Sequence, residues 1–306
     1  MAYENFISTV EAKKLLTERD KYLILADHCT REWEGEIKKR GDSVTILGMG
    51  RPTIYGLTAN GTYEADGLGA GSARSGKDVI HKGIPSPEEL TTTKIVCPVN
   101  QIALFNYMVG DIDEQQSSQK GIIDRARPKT AQDMALKQDE RVRDVIVAEA
   151  KCKAYETAIT LASGVASEGQ VNILDFVDEL VMKLRENNVK DSEELFGECS
   201  PAFMRRLKVA LRNVDTNNSK IVRGRECTSY NGVNFFMTNT MKKSASEEYV
   251  FVRTKDSVAF FDPLTEIRPY QPEKGFGDAL KGFNLYDAHV VDPTGCYYAQ
   301  IAGYVG

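Results

Sequence analysis

The chain has 306 residues, of which 42% are hydrophobic and 27% charged, and its formal net charge is −5. These values are typical of a folded globular protein of about two domains and exclude a long disordered tail. The negative charge argues against strong nonspecific binding to DNA, which depends on clustered Lys and Arg. No apolar run approaches the roughly 20 residues of a membrane helix, and no signal-peptide pattern opens the chain, so we expect the protein to stay where it is made.

Residues 1–42 predict an N-terminal arm with two helices. Thr9, followed by the run Lys13–Leu16, predicts a short capped helix. A second helix is expected over Ile24–Arg40, where apolar residues lie four apart on one face. Because positive and negative charges balance here, we interpret the arm as lying along protein and not as a basic tail that reaches nucleic acid.

Residues 43–90 predict an extended loop. The segment holds nine glycines and three prolines but few large apolar residues, so it cannot form a core of its own. We expect a two-stranded arm with a flexible tip near Ala65–Lys77. Isolated hairpins are marginally stable in water, so such an arm needs a surface to lie on. In a monomeric protein that surface would be the protein's own body, and in an assembly it would belong to a neighbouring subunit.

Residues 91–164 predict long strands and then a long helix. Apolar and polar residues alternate over about 20 positions within Leu90–Gln119, longer than a typical strand. Residues 114–137, with Pro128, predict a loop or irregular helix. A helix of roughly 35–40 Å is expected from Asp139 to Ser163, before Gly164. Its apolar residues follow a 3-4-3-4-3 spacing: Val145, Ala148, Cys152, Tyr155, Ile159 and Ala162.

Residues 165–261 predict a mixed region of helices and strands. Asn172 is a candidate cap for a helix that ends near Asn187, and Ser200-Pro201 predicts the start of another. Asn231-Gly232 between two apolar runs predicts a β-hairpin. Further strands are expected at Tyr249–Arg253 and Val258–Phe261.

The last part of the chain repeats the pattern of long strands. Thr265–Pro293 holds the apolar residues Ile267, Tyr270 and Phe276, and we expect it to turn at Gly282 into a second apolar stretch, Tyr286–Val291. Gly295–Ala302 predicts one more strand.

One segment matches a phosphate-binding loop in part. Gly71–Lys77 fits the GxxxxGK pattern, whose backbone N–H groups and lysine bind phosphates. The next residue, Asp78, would repel phosphate where the pattern needs Ser or Thr. The sequence before the segment does not have the pattern of a buried apolar strand, and the sequence after it does not have the pattern of a helix, so we interpret the match as a chance one and predict no bound cofactor.

Other candidate sites are equally weak. Asp111 and Asp113 would point to opposite faces of a strand, with no third acid or histidine placed to complete a magnesium site. His28, His81 and His289 have no partner motif, so we predict neither a catalytic residue nor a metal ligand among them. The six cysteines lie at least 28 residues apart and predict reduced, mostly buried thiols. They are Cys29, Cys97, Cys152, Cys199, Cys227 and Cys296.

The two alternating segments, Leu90–Gln119 and Thr265–Pro293, resemble those of the major capsid proteins of tailed bacteriophages. The resemblance is to the shell fold typified by phage HK97, and specifically to its P22-coat-like branch. It implies an α+β protein that builds an icosahedral head around double-stranded DNA and is not an enzyme. Most of the chain follows the order of the family's parts.

The resemblance also implies a domain organisation. Residues 1–42 correspond to the N-terminal arm and residues 43–90 to the extended loop. The peripheral domain takes residues 91–164, with the outgoing strands and the long spine helix, and residues 262–291, the returning strand. The axial domain takes residues 165–261, and residues 292–306 supply its final strand.

The implied partners are other copies of the chain, in pentamers and hexamers. A separate scaffolding protein is expected, since no coiled-coil segment like the built-in scaffold of HK97 precedes residue 43. A portal at one vertex, a decoration protein, assembly in the bacterial cytoplasm and a final location in the virion capsid also follow from the resemblance. Two alternatives stay open: an encapsulin-type shell around a cargo enzyme, and a nucleotide-binding enzyme that uses Gly71–Lys77.

Overall fold

The computed structural model describes residues 14–33, 43–49, 54–57, 63–66, 92–110, 122–164, 166–213, 228–242, 247–272 and 277–305. Several predicted features lie outside these residues: the tip of the extended loop, Gly71–Lys77, Asp111, Asp113, His81 and Cys227. The chain divides into two units, Val44–Cys97 and the remainder.

The smaller unit contains short paired strands. β1 (Ser43–Met49) pairs with β4 (Thr92–Pro98), and β2 (Ile54–Leu57) forms an antiparallel hairpin with β3 (Tyr63–Asp66). Val44 and Ile46 on β1 are buried while Ser43 and Thr45 are exposed, which is the period of two expected for a strand. These strands lie in the segment for which the sequence predicts a two-stranded arm.

The larger unit is built on a mixed seven-stranded sheet. Three neighbouring pairs are parallel and the others are antiparallel. In spatial order the strands are β7 (Gln170–Asn172), β6 (Ile159–Ala162), β14 (Cys296–Val305), β11 (Glu248–Arg253), β8 (Leu195–Cys199), β10 (Val233–Met237) and β9 (Thr228–Tyr230).

Two helices cover one face of this sheet, and both begin where the sequence predicts. The Asn172 side chain accepts a hydrogen bond from the backbone N–H of Leu174 and caps α2 (Ile173–Glu186). The Ser200 hydroxyl does the same for the N–H of Phe203 at the start of α3 (Pro201–Asn213). Their apolar sides pack into one core with alternate residues of β8, β10, β11 and β14. The Asn231-Gly232 hairpin is confirmed, with both residues at positive φ.

A helix and an N-terminal segment cover the opposite face. α1 (Ile122–Ala148) packs beside residues 23–30, which we call the strap. Thr30 extends the strap along a second sheet, since its N–H donates to the Val258 carbonyl and its carbonyl accepts from Phe260. The core between these layers includes Leu25, Ala26, Val142, Ile146, Phe251, Phe260 and Tyr298.

The second sheet of the larger unit has three long antiparallel strands. β13 (Gly277–Val290) lies between β12 (Val258–Tyr270) and β5 (Gln101–Gly110). One face packs against α1 through Phe105, Tyr107, Ala131, Met134, Ile267 and Leu280. The alternating run Leu90–Gln119 therefore contributes two strands, β4 and β5, that break at residues 99 and 100.

The predicted bounds of the long helix are wrong. α1 ends at Ala148, and Glu149 adopts extended angles before a 3-10 turn at Ala150–Cys152. Ile159–Ala162 then forms β6, because pairing with β14 and β7 outweighs the helical spacing. Of the two alternatives predicted for residues 114–137, a loop or an irregular helix, the structure shows a helix from residue 122 onward, which forms the first part of α1 and contains Pro128. Its core side is formed by small and flexible residues, including Ala131 and Met134, which made the apolar pattern faint.

Two further predictions are corrected. Gly282 is not at a turn but lies within β13, where a Cβ would come 2.5 Å from the Phe105 ring. The described part of the predicted helix Ile24–Arg40, residues 24–33, forms turns. The backbone N–H groups of Ile24 and Ala26 bind the Asp139 carboxylate on α1, so they do not point along a helix axis.

Candidate functional site

The outer face of the three-stranded sheet carries exposed apolar side chains. Strand alternation directs Phe105 and Tyr107 towards α1, so Leu104 and Met108 on β5 project from the opposite face. Leu104 is 77% exposed and Met108 54% exposed. Phe283 on β13 lies directly opposite Leu104. A row of apolar groups open to solvent indicates a surface that binds protein.

Charged residues border these apolar groups. Glu266 and Arg268 on β12 form an ion pair, and the ammonium group of Lys281 on β13 lies 4.6 Å from the centre of the Tyr270 ring. The Tyr270 hydroxyl donates to Asn106 at 3.0 Å. Together with Leu104, Phe105, Gly282 and Phe283, several of these residues line a groove of about 650 Å³. An apolar centre with a polar rim is the usual arrangement of a protein interface.

A buried ionic cluster joins the seven-stranded sheet to the strap. The guanidinium of Arg253 binds Glu198 in bidentate fashion, with Nε 3.0 Å from Oε2 and Nη2 2.6 Å from Oε1. The same group donates to the backbone carbonyls of His28 and Leu25 at 2.9 and 2.7 Å. Burial alone would raise the pKa of Glu198, but Arg253 and His28 hold that pKa below its ordinary value. The strap is therefore tied to β8 and β11 through one charge pair.

His28 completes this cluster. Its Nδ1 lies 3.0 Å from Glu198 Oε1, and its ring packs against Phe196 and Phe236 with centroid distances of 4.5 and 4.3 Å. The ring is thus held between aromatic side chains and a carboxylate inside the protein. This geometry gives His28 a structural role.

Asp139 binds the strap from the side of α1. Its carboxylate accepts the N–H of Ala26 at 3.0 Å and that of Ile24 at 3.2 Å, and the residue is 1% exposed. Burial raises the pKa of Asp139 to about 7, despite the backbone N–H groups that favour the carboxylate, and nearby Glu198 adds to the rise. This group thus changes its charge near neutral pH.

The other residues considered from the sequence do not assemble into a reactive site. His289 Nε2 lies 2.8 Å from the Pro98 carbonyl oxygen. The described cysteines are buried thiols, and the hydrogen bond with Cys152, together with burial, raises the pKa of Cys296. Within the described ranges no cluster of three His, Cys, Asp or Glu could hold a metal ion, and no helix could span a membrane.

Sequence reasoning missed the members of the ionic cluster other than His28. Glu198 lies in the mostly apolar strand LFGEC, and Arg253 follows the apolar run YVFV in EYVFVR. A charged residue at a position where the alternation calls for a buried one is the signal that could have singled them out.

Solved structures of phage capsids are similar to this chain in fold. The structure of Mycobacterium phage Che8 matches with a TM-score of 0.65 and 16% identity, over 90% of each chain. The capsid of cyanophage P-SCSP1u matches with a TM-score of 0.62 and 13% identity, over 92% of this chain and 88% of that one. No family model matches the sequence, and no curated protein does.

An encapsulin is similar to a lesser degree. The SrpI encapsulin of Synechococcus elongatus matches with a TM-score of 0.50 and 11% identity, over 71% of this chain and 80% of that chain. The chain therefore has the HK97-like α+β fold, as the sequence predicts. Its assignment to the P22-coat-like branch stays a prediction.

Proposed function

We propose that this protein is the major capsid protein of a tailed bacteriophage, a structural protein that assembles into an icosahedral head around double-stranded DNA. The observation that carries the proposal is the match to phage capsid structures such as that of cyanophage P-SCSP1u, over 92% of this chain and 88% of that one. The encapsulin match is weaker and covers less of the chain, so the phage head is the favoured form of shell. The proposed role is non-enzymatic.

The outer face of the three-stranded sheet supports this proposal. Leu104 and Met108 leave large apolar areas in water, and burying one such side chain fully is worth about 1.5–3 kcal/mol. Contact with a neighbouring subunit would bury them, with the extended loop, residues 43–90, as the expected occupant. Repeated in every subunit, this contact would make a large contribution to the stability of the shell.

We also propose the domain organisation implied by the resemblance. The three-stranded sheet with α1 serves as the peripheral domain, and the seven-stranded sheet with α2 and α3 as the axial domain near the symmetry axes. β6 belongs to the seven-stranded sheet, which supports a boundary before Ile159 in place of residue 165. The scaffolding protein, portal and decoration protein remain proposals that follow from the proposed phage head.

Electron microscopy of the purified protein, expressed alone and with its neighbouring phage genes, tests the proposal. Closed icosahedral particles are expected. Leu104→Ser should reduce their yield, whereas Leu104→Val, which keeps an apolar side chain suited to a strand, should preserve it. A subunit that stays monomeric by light scattering in every combination of partner genes and salt would refute the proposal. Particles that carry a cargo enzyme and no DNA when isolated from the natural source would favour the encapsulin alternative.

A further inference from the structure

The outer side of α2 carries an acidic stripe with an apolar centre. Asp175, Met182 and Glu186 are all exposed, and their spacings of seven and four place them on one side of the helix. Met182 is 51% exposed although the apolar residues on the other side of α2 are buried. We call these three residues the α2 stripe. It presents one methionine between two carboxylates.

The adjacent helix carries a groove of the opposite character. A cavity of about 350 Å³ beside α3 is lined by Pro201, Met204, Arg205, Lys208, Val209 and Met237. Its floor is apolar, and Met237 at the end of β10 is 50% exposed. Arg205 and Lys208 supply positive charge, and the sequence of α3, PAFMRRLKVALRN, has no acidic residue. We call this cavity the α3 groove.

We propose that the α2 stripe of one subunit binds the α3 groove of the next subunit in the same ring. Met182 would enter the apolar groove, and Asp175 and Glu186 would approach Arg205 and Lys208. The proposal rests on the proposed function, because it names a contact within the rings of the shell.

Complementarity in two respects selects a second copy as the occupant. The stripe has an apolar side chain between acidic residues, and the groove has an apolar floor beside basic residues. The apolar side chain would therefore contact the apolar floor, and the acidic groups would contact the basic groups. Methionine is flexible and fills irregular gaps well, which suits Met182 to a shallow groove. Opposite charges fix the register of such a contact and disfavour stripe-to-stripe or groove-to-groove pairing.

The position of the two surfaces predicts how copies associate. The stripe and the groove are different surfaces on two helices of the same layer, so the contact is heterologous. A heterologous contact joins subunits head to tail, and it closes into a ring when the rotation between neighbours allows. This is the form of contact that five- and six-membered rings require.

A charge swap tests the proposal. The groove reversal, Arg205→Glu with Lys208→Glu, and the stripe reversal, Asp175→Lys with Glu186→Lys, are each expected to lower particle yield about tenfold or more, because like charges then face each other. The chain with all four changes should recover a yield within about twofold of wild type at about 0.1 M salt. The two changes in the stripe have opposite effects on the helix dipole of α2, so they should leave its stability nearly unchanged.

Matched controls separate this contact from general effects of charge. Lys190→Glu with Lys255→Glu changes the net charge as much as the groove reversal does, at two exposed positions outside both surfaces, and should assemble normally. Met182→Ser should lower the yield, and Met182→Leu should not. Circular dichroism of each variant subunit checks that the variant is folded before its particle yield is compared. If the groove reversal unfolds the subunit, the milder variant Arg205→Gln with Lys208→Gln is used in its place. This variant should slow assembly several-fold.

The outcomes are distinct. Normal assembly of either reversal, or failure of the four-residue swap to restore it, would overturn the proposed contact while wild-type particles still form. Absence of particles from the wild-type protein under all conditions would instead refute the proposed function.

Discussion

Replacing Arg253 with methionine is expected to lower the free energy of unfolding of the unassembled subunit by about 3–5 kcal/mol. Methionine fills much of the space of the arginine stem but leaves the Glu198 carboxylate, which is 0% exposed, without its bidentate partner. The change also removes the donors to the carbonyls of Leu25 and His28. The Leu25 carbonyl keeps the hydrogen bond that it accepts from the Cys29 thiol at 3.2 Å, whereas the His28 carbonyl loses its donor at a cost of about 1–3 kcal/mol, so the strap should be released most easily.

The protein contains its own reporter for this release. Trp33 is the single tryptophan and lies three residues after the end of the strap. In urea, the wild-type subunit should show the same transition by tryptophan fluorescence and by circular dichroism. In Arg253→Met the fluorescence transition should come first, because the strap detaches before the sheets unfold. The difference in urea concentration between the fluorescence transition and the circular dichroism transition measures the local stability of the strap.

A second variant tests why Arg253→Met lowers the free energy of unfolding. Adding Glu198→Met to Arg253→Met removes the unpaired charge, and replacing a buried ion pair by apolar residues is often neutral or stabilising. The double variant should therefore unfold at a higher urea concentration than Arg253→Met alone, while Trp33 still responds early. A loss below about 1 kcal/mol in the single variant, or a double variant less stable than the single, would refute the reasoning.

Three further predictions concern stability. Because the pKa of Asp139 in the folded protein is about 7 and lies above its unfolded value, stability should fall by up to about 4 kcal/mol as pH rises from 4 to 7, and Asp139→Asn should flatten that slope in urea titrations. Gly282→Ala should lower the melting temperature, at a cost of about 1–3 kcal/mol, because its Cβ would meet Phe105, whereas Gly303→Ala meets nothing within 4 Å and should not. Ala135→Pro, in the middle of α1, should cost about 3 kcal/mol or more and give insoluble or unassembled protein; normal particles from it would contradict the role of α1.

Elements with local signals could be predicted from the sequence. Helix caps and tight turns depend on interactions within a few residues, so the local amino-acid sequence is sufficient to predict them. This holds for the caps at Asn172 and Ser200 and for the Asn231-Gly232 turn. α1 could not be bounded in this way. Its apolar spacing continues past Ala148 into Ile159–Ala162, which pairs with β14 as strand β6. The paired residues Ile159 and Ile301 are 142 positions apart, so this contact leaves no local pattern in the sequence.

The ionic cluster could not be predicted from the sequence either, because its members are far apart in the chain. His28 and Glu198 are 170 residues apart, and Arg253 meets Leu25 across 228 residues. No motif of fixed spacing connects them. The exposed sheet face is an intermediate case: the alternation on β5 is visible in the sequence, but which side faces α1 depends on the packing of Phe105 against Ile267 and Leu280.

The long separation of the strap from its partners has a consequence for synthesis of the protein. Leu25 leaves the ribosome 228 residues before Arg253, and at typical elongation rates this delay is roughly 10–45 s. During that time the strap lacks Arg253, although Asp139 and Glu198 are synthesised earlier. A nascent chain therefore carries an incompletely attached N-terminal segment until β11 emerges, and the subunit reaches its final conformation only late in translation. This order of events would keep unfinished chains from joining a growing shell.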